Sequence, residues 1–405
     1  MPARESTTEP TSRSPDRYEA LLAEAARIHG VSLWLDAWRR LLKNRAAMVS
    51  LVFLIGLATF SFLTPLLPLQ SPQYIWLTED REFQPPSLKP VPLAISLDEV
   101  AAHDKEMATL RMQYRAARGQ DRTRIAAEIE ARRGEHPYFR LWNSPGPVAR
   151  GLIHLRMLTF GRTCIPSILG TDNLGRDLLA RVCWGSRVSL IVGIVAALVS
   201  LVIGVTWGAT AGYVGGWTDA AMMRVVDIIY SIPFIFLVIF LISVLNEESI
   251  KAELTKYGVS QITVFYFVIG AIYWLTMSRV VRGQVISLKH EQFVDAARTI
   301  GAGTGRIIFR HLVPNVLGIV IVYLTLTIPS VMLFEAFLSF LGLGVQPPDV
   351  SWGLLANDGI RVITPIKTYW WLVVFPGLAL AATLFALNFL GDGLRDALDP
   401  RMKNR

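Results

Sequence analysis

Six stretches of this chain are apolar for long enough to cross a bilayer, and between them the pattern turns polar and basic. A span needs roughly 17–25 largely uncharged residues. Residues 46–68 lie in a run without charge from Ala46 to Leu77, and a second uncharged run extends from Val188 to Val214. Residues 225–245 carry only Asp227, and residues 260–277 are apolar and aromatic up to Met277. Residues 316–341 carry only Glu335, and residues 369–390 carry no charge. Backbone groups in lipid must be bonded within their own segment, and the alternation of membrane strands is absent. The pattern therefore predicts an all-α integral membrane protein with six transmembrane helices.

The intervening stretches have patterns of their own. The first 16 residues, rich in Ser, Thr, Pro and charge, read as disordered. Within residues 32–45, Trp34, Trp38, Leu41 and Leu42 share one helical face and Arg39, Arg40 and Lys43 lie elsewhere, which predicts an interfacial helix along the membrane surface. Residues 70–187 form a large insertion between spans one and two. After Pro85, Pro86, Pro90 and Pro92, the run Ser96-Leu97-Asp98-Glu99 signals a capped helix start. That helix is expected to reach Arg118 and stop at Gly119, and Asp121 to cap a second helix through Ile125 and Ile129. The result is a helical hairpin over residues 96–134. It is either a docking surface for an external partner or a decoration without essential contacts.

Charge fixes an orientation. Of the 405 residues, 52% are apolar and the formal net charge is +8, from 40 basic and 32 acidic residues. In a chain with these spans such an excess marks the cytoplasmic face; the basic residues form no separate nucleic-acid-binding domain. Arg39, Arg40, Lys43 and Arg45 precede span one, which places the amino terminus in the cytoplasm. Six crossings return Arg395, Arg401, Lys403 and Arg405 to the same side. Arg176, Arg181 and Arg187 disagree, since they fall on the outer side just before span two. The first apolar run lies behind a 45-residue polar segment and is read as an anchor, not a cleaved signal. Cys164 and Cys183 are read as two unrelated thiols, with one bridge as the alternative in an oxidising space. The six histidines are scattered without metal-ligand spacing, and no cofactor, metal or catalytic residue is expected.

Between spans four and five, residues 278–315 turn amphipathic. Phe293, Ala296, Ala297 and Ile300 share a helical face, Gly301, Gly303 and Gly305 interrupt, and Ile307 and Ile308 resume. This predicts two short helices parallel to the membrane, joined by a bend, with Pro314 at a helix boundary or first turn. The stretch Gly301 to Arg306 lacks the spacing of a phosphate loop and follows a helix where a strand is needed, so it is not read as a nucleotide site. Asp227 and Glu335 are acids inside spans, and Pro233, Pro329 and Pro376 are candidate kinks.

The same stretch resembles the EAA loop of ABC importer permeases: Glu-Ala-Ala, three residues, Gly, nine residues, Ile-x-Leu-Pro. Asp295-Ala296-Ala297 takes the first place, Gly301 the glycine and Pro314 the proline, with both spacings kept. Asp295, His311 and Val313 depart from the pattern, and the His-Leu-Val-Pro-Asn ending is similar to the oligopeptide and dipeptide branch. Residues Gly170 to Asp177, Leu338 to Gly344 with Ser351-Trp352-Gly353, and Gly391 to Pro400 extend the resemblance to the C-type subunit, over residues 32–70 and 160–401. The resemblance implies a non-catalytic permease subunit of the inner membrane, working with a homologous second permease, two cytoplasmic ATPases and an external solute-binding protein. It implies ATPase coupling through Glu291, Asp295, Ala296, Ala297, Gly301 and Pro314. The implied layout is a tail and interfacial helix at 1–45, a first span at 46–69, the insertion at 70–187, a five-helix core at 188–391 and a tail at 392–405. Other readings are an ion-coupled secondary transporter, an importer of a nickel complex or sugar, and an anchor that recruits a soluble enzyme without transport.

Overall fold

Long apolar runs leave the backbone no partner but itself, and in the computed structural model they are helices. The structure describes residues 33–398 apart from 76–80, 92, 94, 143–144, 246, 258–260 and 348. The first 16 residues, Pro92 and the tail from residue 399 onward lie outside the described residues. So does the side chain of Trp34. Among the described residues there is no strand, and the one isolated bridge joins Thr171 to Asp177.

In chain order, α1 (Leu33–Lys43) leads into α2 (Arg45–Leu63), the first apolar helix. The insertion holds α3 (Leu97–Ala116), α4 (Gln120–Gly134), α5 (Tyr138–Leu141) and α6 (Pro147–Phe160). Then come α7 (Leu178–Val214), α8 (Gly216–Ser231), α9 (Phe234–Leu245), α10 (Glu248–Lys256) and α11 (Gln261–Leu288). A short helix, α12 (Gln292–Thr299), precedes a rod made of α13 (Thr304–Arg306), a π-helical turn (Ile307–Leu312) and α14 (Val313–Phe340). The chain closes with α15 (Trp352–Arg361) and α16 (Trp371–Leu398).

Among the described residues, five helices are long and apolar enough to span a membrane, or six if α8 and α9 count as one broken span. The third span is therefore not a kinked helix over 225–245. It is a pair bent by 87° at the break before Pro233, whose missing N–H and ring end α8 at Ser231. Ala37 and Leu41 of α1 pack with Ala47 against Leu394, Ala397 and Leu398 of α16. Residues 37–47 and the end of α16 therefore lie at one end of the bundle.

The α7–α11 pair is the most extensive helix contact in the fold. Its seam is a row of glycines. A Cβ on Gly204 would stand 2.6 Å from the Cβ of Met277, and one on Gly212 would stand 2.9 Å from the Arg282 carbonyl oxygen. Small residues at this spacing let two backbones approach closely in an apolar medium.

Other expectations meet the structure unevenly. Ser96 caps α3, its Oγ accepting from the Glu99 amide at 3.3 Å and donating to Glu99 Oε1 at 3.1 Å. However, α3 ends at Ala116, and α4 starts after Gly119 with no side-chain cap, so Asp121 is a first-turn acid and not a cap. The shared face drawn through Trp38, Leu41 and Leu42 divides: Leu41 is buried on α16, while Trp38 and Leu42 are exposed, the outward side of an amphipathic helix. Span two begins at Leu178, well ahead of residue 188, because Asp177 caps it through the Ala180 amide at 2.8 Å. Both cysteines are free. Pro329 and Pro376 lie buried inside α14 and α16.

The insertion sits at the opposite end from α1. Leu93, Ile95, Val100, Tyr138, Leu141, Ile153 and Met157 share one core with Leu178, Trp184, Trp352 and Trp371. That packing joins the insertion to the helix bundle on both sides of the hairpin, with Val100 the hairpin residue buried in it. Two of the three arginines that disagreed with the orientation are paired with carboxylates there. Asp172 accepts from Arg176 Nε at 2.8 Å and from the buried Arg181 at 2.5 Å, and Arg181 also reaches Asp358 at 3.2 Å. Arg187 lies over the Trp184 ring, 3.4 Å from its centre.

Candidate functional site

The segment joining α11 to the rod differs from its expected form in an instructive way. Residues 278–288 are not loop but the end of α11, and the second short helix is not separate: Thr304 begins a continuous rod to Phe340. One short helix, α12, remains, held at the same end of the bundle as α1 and the end of α16.

Its termination is specified atom by atom. Gly301 adopts φ +80°, its amide donates to the Arg298 carbonyl at 2.9 Å, and the Ala302 amide donates to the Ala297 carbonyl at 3.0 Å. These two reversed bonds form a Schellman cap, which needs a left-handed residue between them. A Cβ at Gly301 would touch nothing, so the requirement is conformational alone. Gly303 (φ −69°) and Gly305 have no such role. We expect Gly301→Val to destabilise this turn by about 1–2 kcal/mol and Gly303→Ala to be near neutral, read as protease sensitivity of the segment in the purified protein.

Pro314 is equally local. It cannot donate to the ladder, and the preceding π turn, closed by Val313 donating to the Ile308 carbonyl, opens room for its ring. The Asn315 side-chain amide donates to the His311 carbonyl at 2.6 Å. His311 to Asn315 therefore works as a unit that turns the chain into α14 without breaking the helix.

The faces of α12 are not those read from periodicity. Val294 and Ala297 point inward, into a cluster with Val205 and Ala209 of α7, Met277, Val281 and Val285 of α11, and Ile307, Ile308 and Leu312 of the rod. Phe293, Ala296 and Ile300 point outward, and Ile300 is 83% exposed. Of the predicted site residues, Glu291, Asp295 and Ala296 are on the outer side, Ala297 is in the packing, and Gly301 and Pro314 shape the backbone. Asp295 pairs with Arg298 at 3.2 Å, and Arg298 Nε donates to Tyr213 Oη of α7 at 3.3 Å. Lys289 Nζ reaches the Gly212 carbonyl at 3.4 Å. Next to this contact, Arg282 makes a two-pronged pair with Asp219 of α8, at 2.5 and 2.6 Å.

The result is a short helix whose inner face is locked to three long helices and whose outer face offers an apolar strip with a charged rim. Such a strip fits a groove on another protein. The two intramembrane acids do something else. Asp227 has an exposed partner, Arg279 at 2.8 Å, which the sequence pattern had not supplied. Glu335 is buried and accepts from Ser189 at 3.2 Å and Ser339 at 2.7 Å, tying the rod to α7. The residues missed from sequence are Tyr213, Lys289 and Arg298, whose roles depend on a contact between segments far apart in the chain.

Residues 204–404 match the family described as binding-protein-dependent transport system inner membrane component. Residues 32–86 match the N-terminal TM domain of oligopeptide transport permease C. Residues 87–203 fall outside both matches. The chain is 39% identical over 379 residues to the oligopeptide transport system permease protein OppC of Escherichia coli K12, an alignment covering 94% of this chain and 95% of that one. It is 48% identical over 232 residues to OppC of Haemophilus influenzae, covering 57% and 70%. With the dipeptide transport system permease protein DppC of Bacillus subtilis it shares 44% over 234 residues, covering 58% and 68%.

Proposed function

Since the chain belongs to the binding-protein-dependent transport system inner membrane component family, we propose that it is the transmembrane permease subunit of an ATP-driven importer of oligopeptides or dipeptides, gripped by a cytoplasmic ATPase at residues 291–314. The observation that carries the grip is the division of α12: Phe293, Ala296 and Ile300 face outward while Val294 and Ala297 are packed on α7, α11 and the rod. Force applied to the outer strip is transmitted to three membrane helices through a close-packed cluster, which deforms little and so moves as a body.

The end of the bundle that carries α12 also carries Arg39, Arg40, Lys43, Arg45, Arg306, Arg310 and Arg395. Basic flanks of this kind remain in the cytoplasm, so both termini and α12 are assigned there and the insertion to the outside. The chain is a multi-pass inner-membrane protein that supplies half of a pathway, completed by a homologous second permease. Two ATPases hydrolyse ATP, and an external solute-binding protein delivers the peptide. The ion-coupled reading is not favoured: Glu335 is satisfied by serines and Asp227 by an exposed arginine.

The test is substrate-stimulated ATP hydrolysis by the assembled complex in lipid nanodiscs, with the double variant Gly301→Pro and Asp295→Arg in this chain. Proline cannot adopt the +80° φ of Gly301, and the arginine reverses the rim charge. Stimulation is expected to fall to the unstimulated rate with the complex still assembled or partly dissociated. Unchanged stimulation counts against the proposal.

A further inference from the structure

The insertion holds a group of side chains that no part of the import machinery uses. His103 and Asp104 are adjacent on α3, and His136 lies in the turn between α4 and α5. One ligand atom from each lies within 4.8 Å of the others. The two imidazole rings meet edge to face with centres 4.7 Å apart, and His136 Nε2 is 3.6 Å from Asp104 Oδ1. The fold thus overrides the sequence reading, in which the histidines were scattered.

The donors are set up unequally. His103 Nε2 lies 3.0 Å from the Arg132 carbonyl and is its donor, which leaves the Nδ1 lone pair; that atom is buried and has no hydrogen-bond partner. A histidine whose far nitrogen donates to a backbone carbonyl while the near one keeps its lone pair is the arrangement found behind metal-ligating imidazoles. Asp104 is the exposed member and leaves a way in from solvent. His136 needs one change: its Nδ1 accepts from the Tyr138 amide at 3.1 Å, which puts the ring proton on Nε2. Loading moves that proton to Nδ1, frees the Nε2 lone pair and gives up the amide bond.

We propose that His103, Asp104 and His136 form a binding site for a divalent transition metal of zinc chemistry, with water in the remaining position. Two imidazoles and a carboxylate suit such an ion. The ion staples α3 to the turn after α4. α4 has no fully buried residue of its own, and its other links to α3 include the exposed Arg132–Glu106 pair at 3.1 Å. The site stands whether or not the chain imports peptides.

The experiment titrates Co²⁺ into the full chain, purified without a histidine tag in lipid nanodiscs and stripped with chelator. One equivalent per chain with the visible bands of tetrahedral cobalt, displaced by Zn²⁺, is the expected result. His103→Ala and His136→Ala should each weaken binding about 100-fold or more. A wild-type chain that gives no such bands overturns the proposal even if a variant fails to fold, and bands that persist in both variants overturn it as well.

Discussion

Phe293→Asp together with Ile300→Asp should uncouple the transporter while leaving the chain folded. Ile300 is 83% exposed and Phe293 38%, so both reach solvent and neither belongs to the buried cluster under α12. Each substitution places a carboxylate on the strip proposed to enter the ATPase groove. Apolar anchors at the centre of such a contact are worth about 2 kcal/mol or more each, which corresponds to roughly 30-fold in affinity per residue. The double variant is expected to insert, to keep the thermal stability of the isolated subunit, and to lose co-purification with the ATPases and transport-linked hydrolysis by at least about 100-fold. The mirror experiment uses the inner face. Val294→Asp would bury an unpaired charge in the cluster with Val281 and Leu312, and it should destabilise the subunit itself. If the outward pair proves harmless to hydrolysis, α12 is not the grip.

The second large effect is expected at Gly208. A Cβ there would fall against the backbone of Ser278 and the Val281 side chain, and main-chain atoms in a helix cannot step aside as a flexible side chain can. Gly208→Leu should therefore force α7 and α11 apart. Overpacking alone costs about 1–3 kcal/mol, and here the displaced pair is the largest helix contact in the fold. The variant is expected to fail to accumulate in the membrane or to melt well below wild type in detergent. Gly283→Ala is the control: it lies on α11, its Cβ would meet nothing within 4 Å, and it should be neutral or slightly stabilising. A stable Gly208→Leu protein would mean that the two helices do not pack as described.

These two predictions differ in how far the sequence reached them. The Gly204–Gly208–Gly212 spacing is visible in the chain, and small residues four apart in an apolar helix mark a close helix partner. The α12 segment was located from the sequence, together with its bend, but its faces were assigned wrongly. Ala297 was grouped with Phe293, Ala296 and Ile300, yet it turns inward beside Val294. A helix eight residues long has apolar side chains on two sides, and periodicity cannot say which side meets the bundle.

Sequence alone determined the apolar spans, the Ser96 cap, the glycine that ends α12 and the loop that carries the family resemblance. All of these rest on residues within a few positions of each other, or on length against bilayer thickness. Tertiary structure alone decided the rest. It placed α1 beside the end of α16 through Leu41, Leu394 and Leu398, and it joined Arg181 to Asp172 and Asp358. It also brought His136 to His103. Each of these is a pairing between distant segments, fixed by how whole helices rotate and pack, and local pattern carries no record of that.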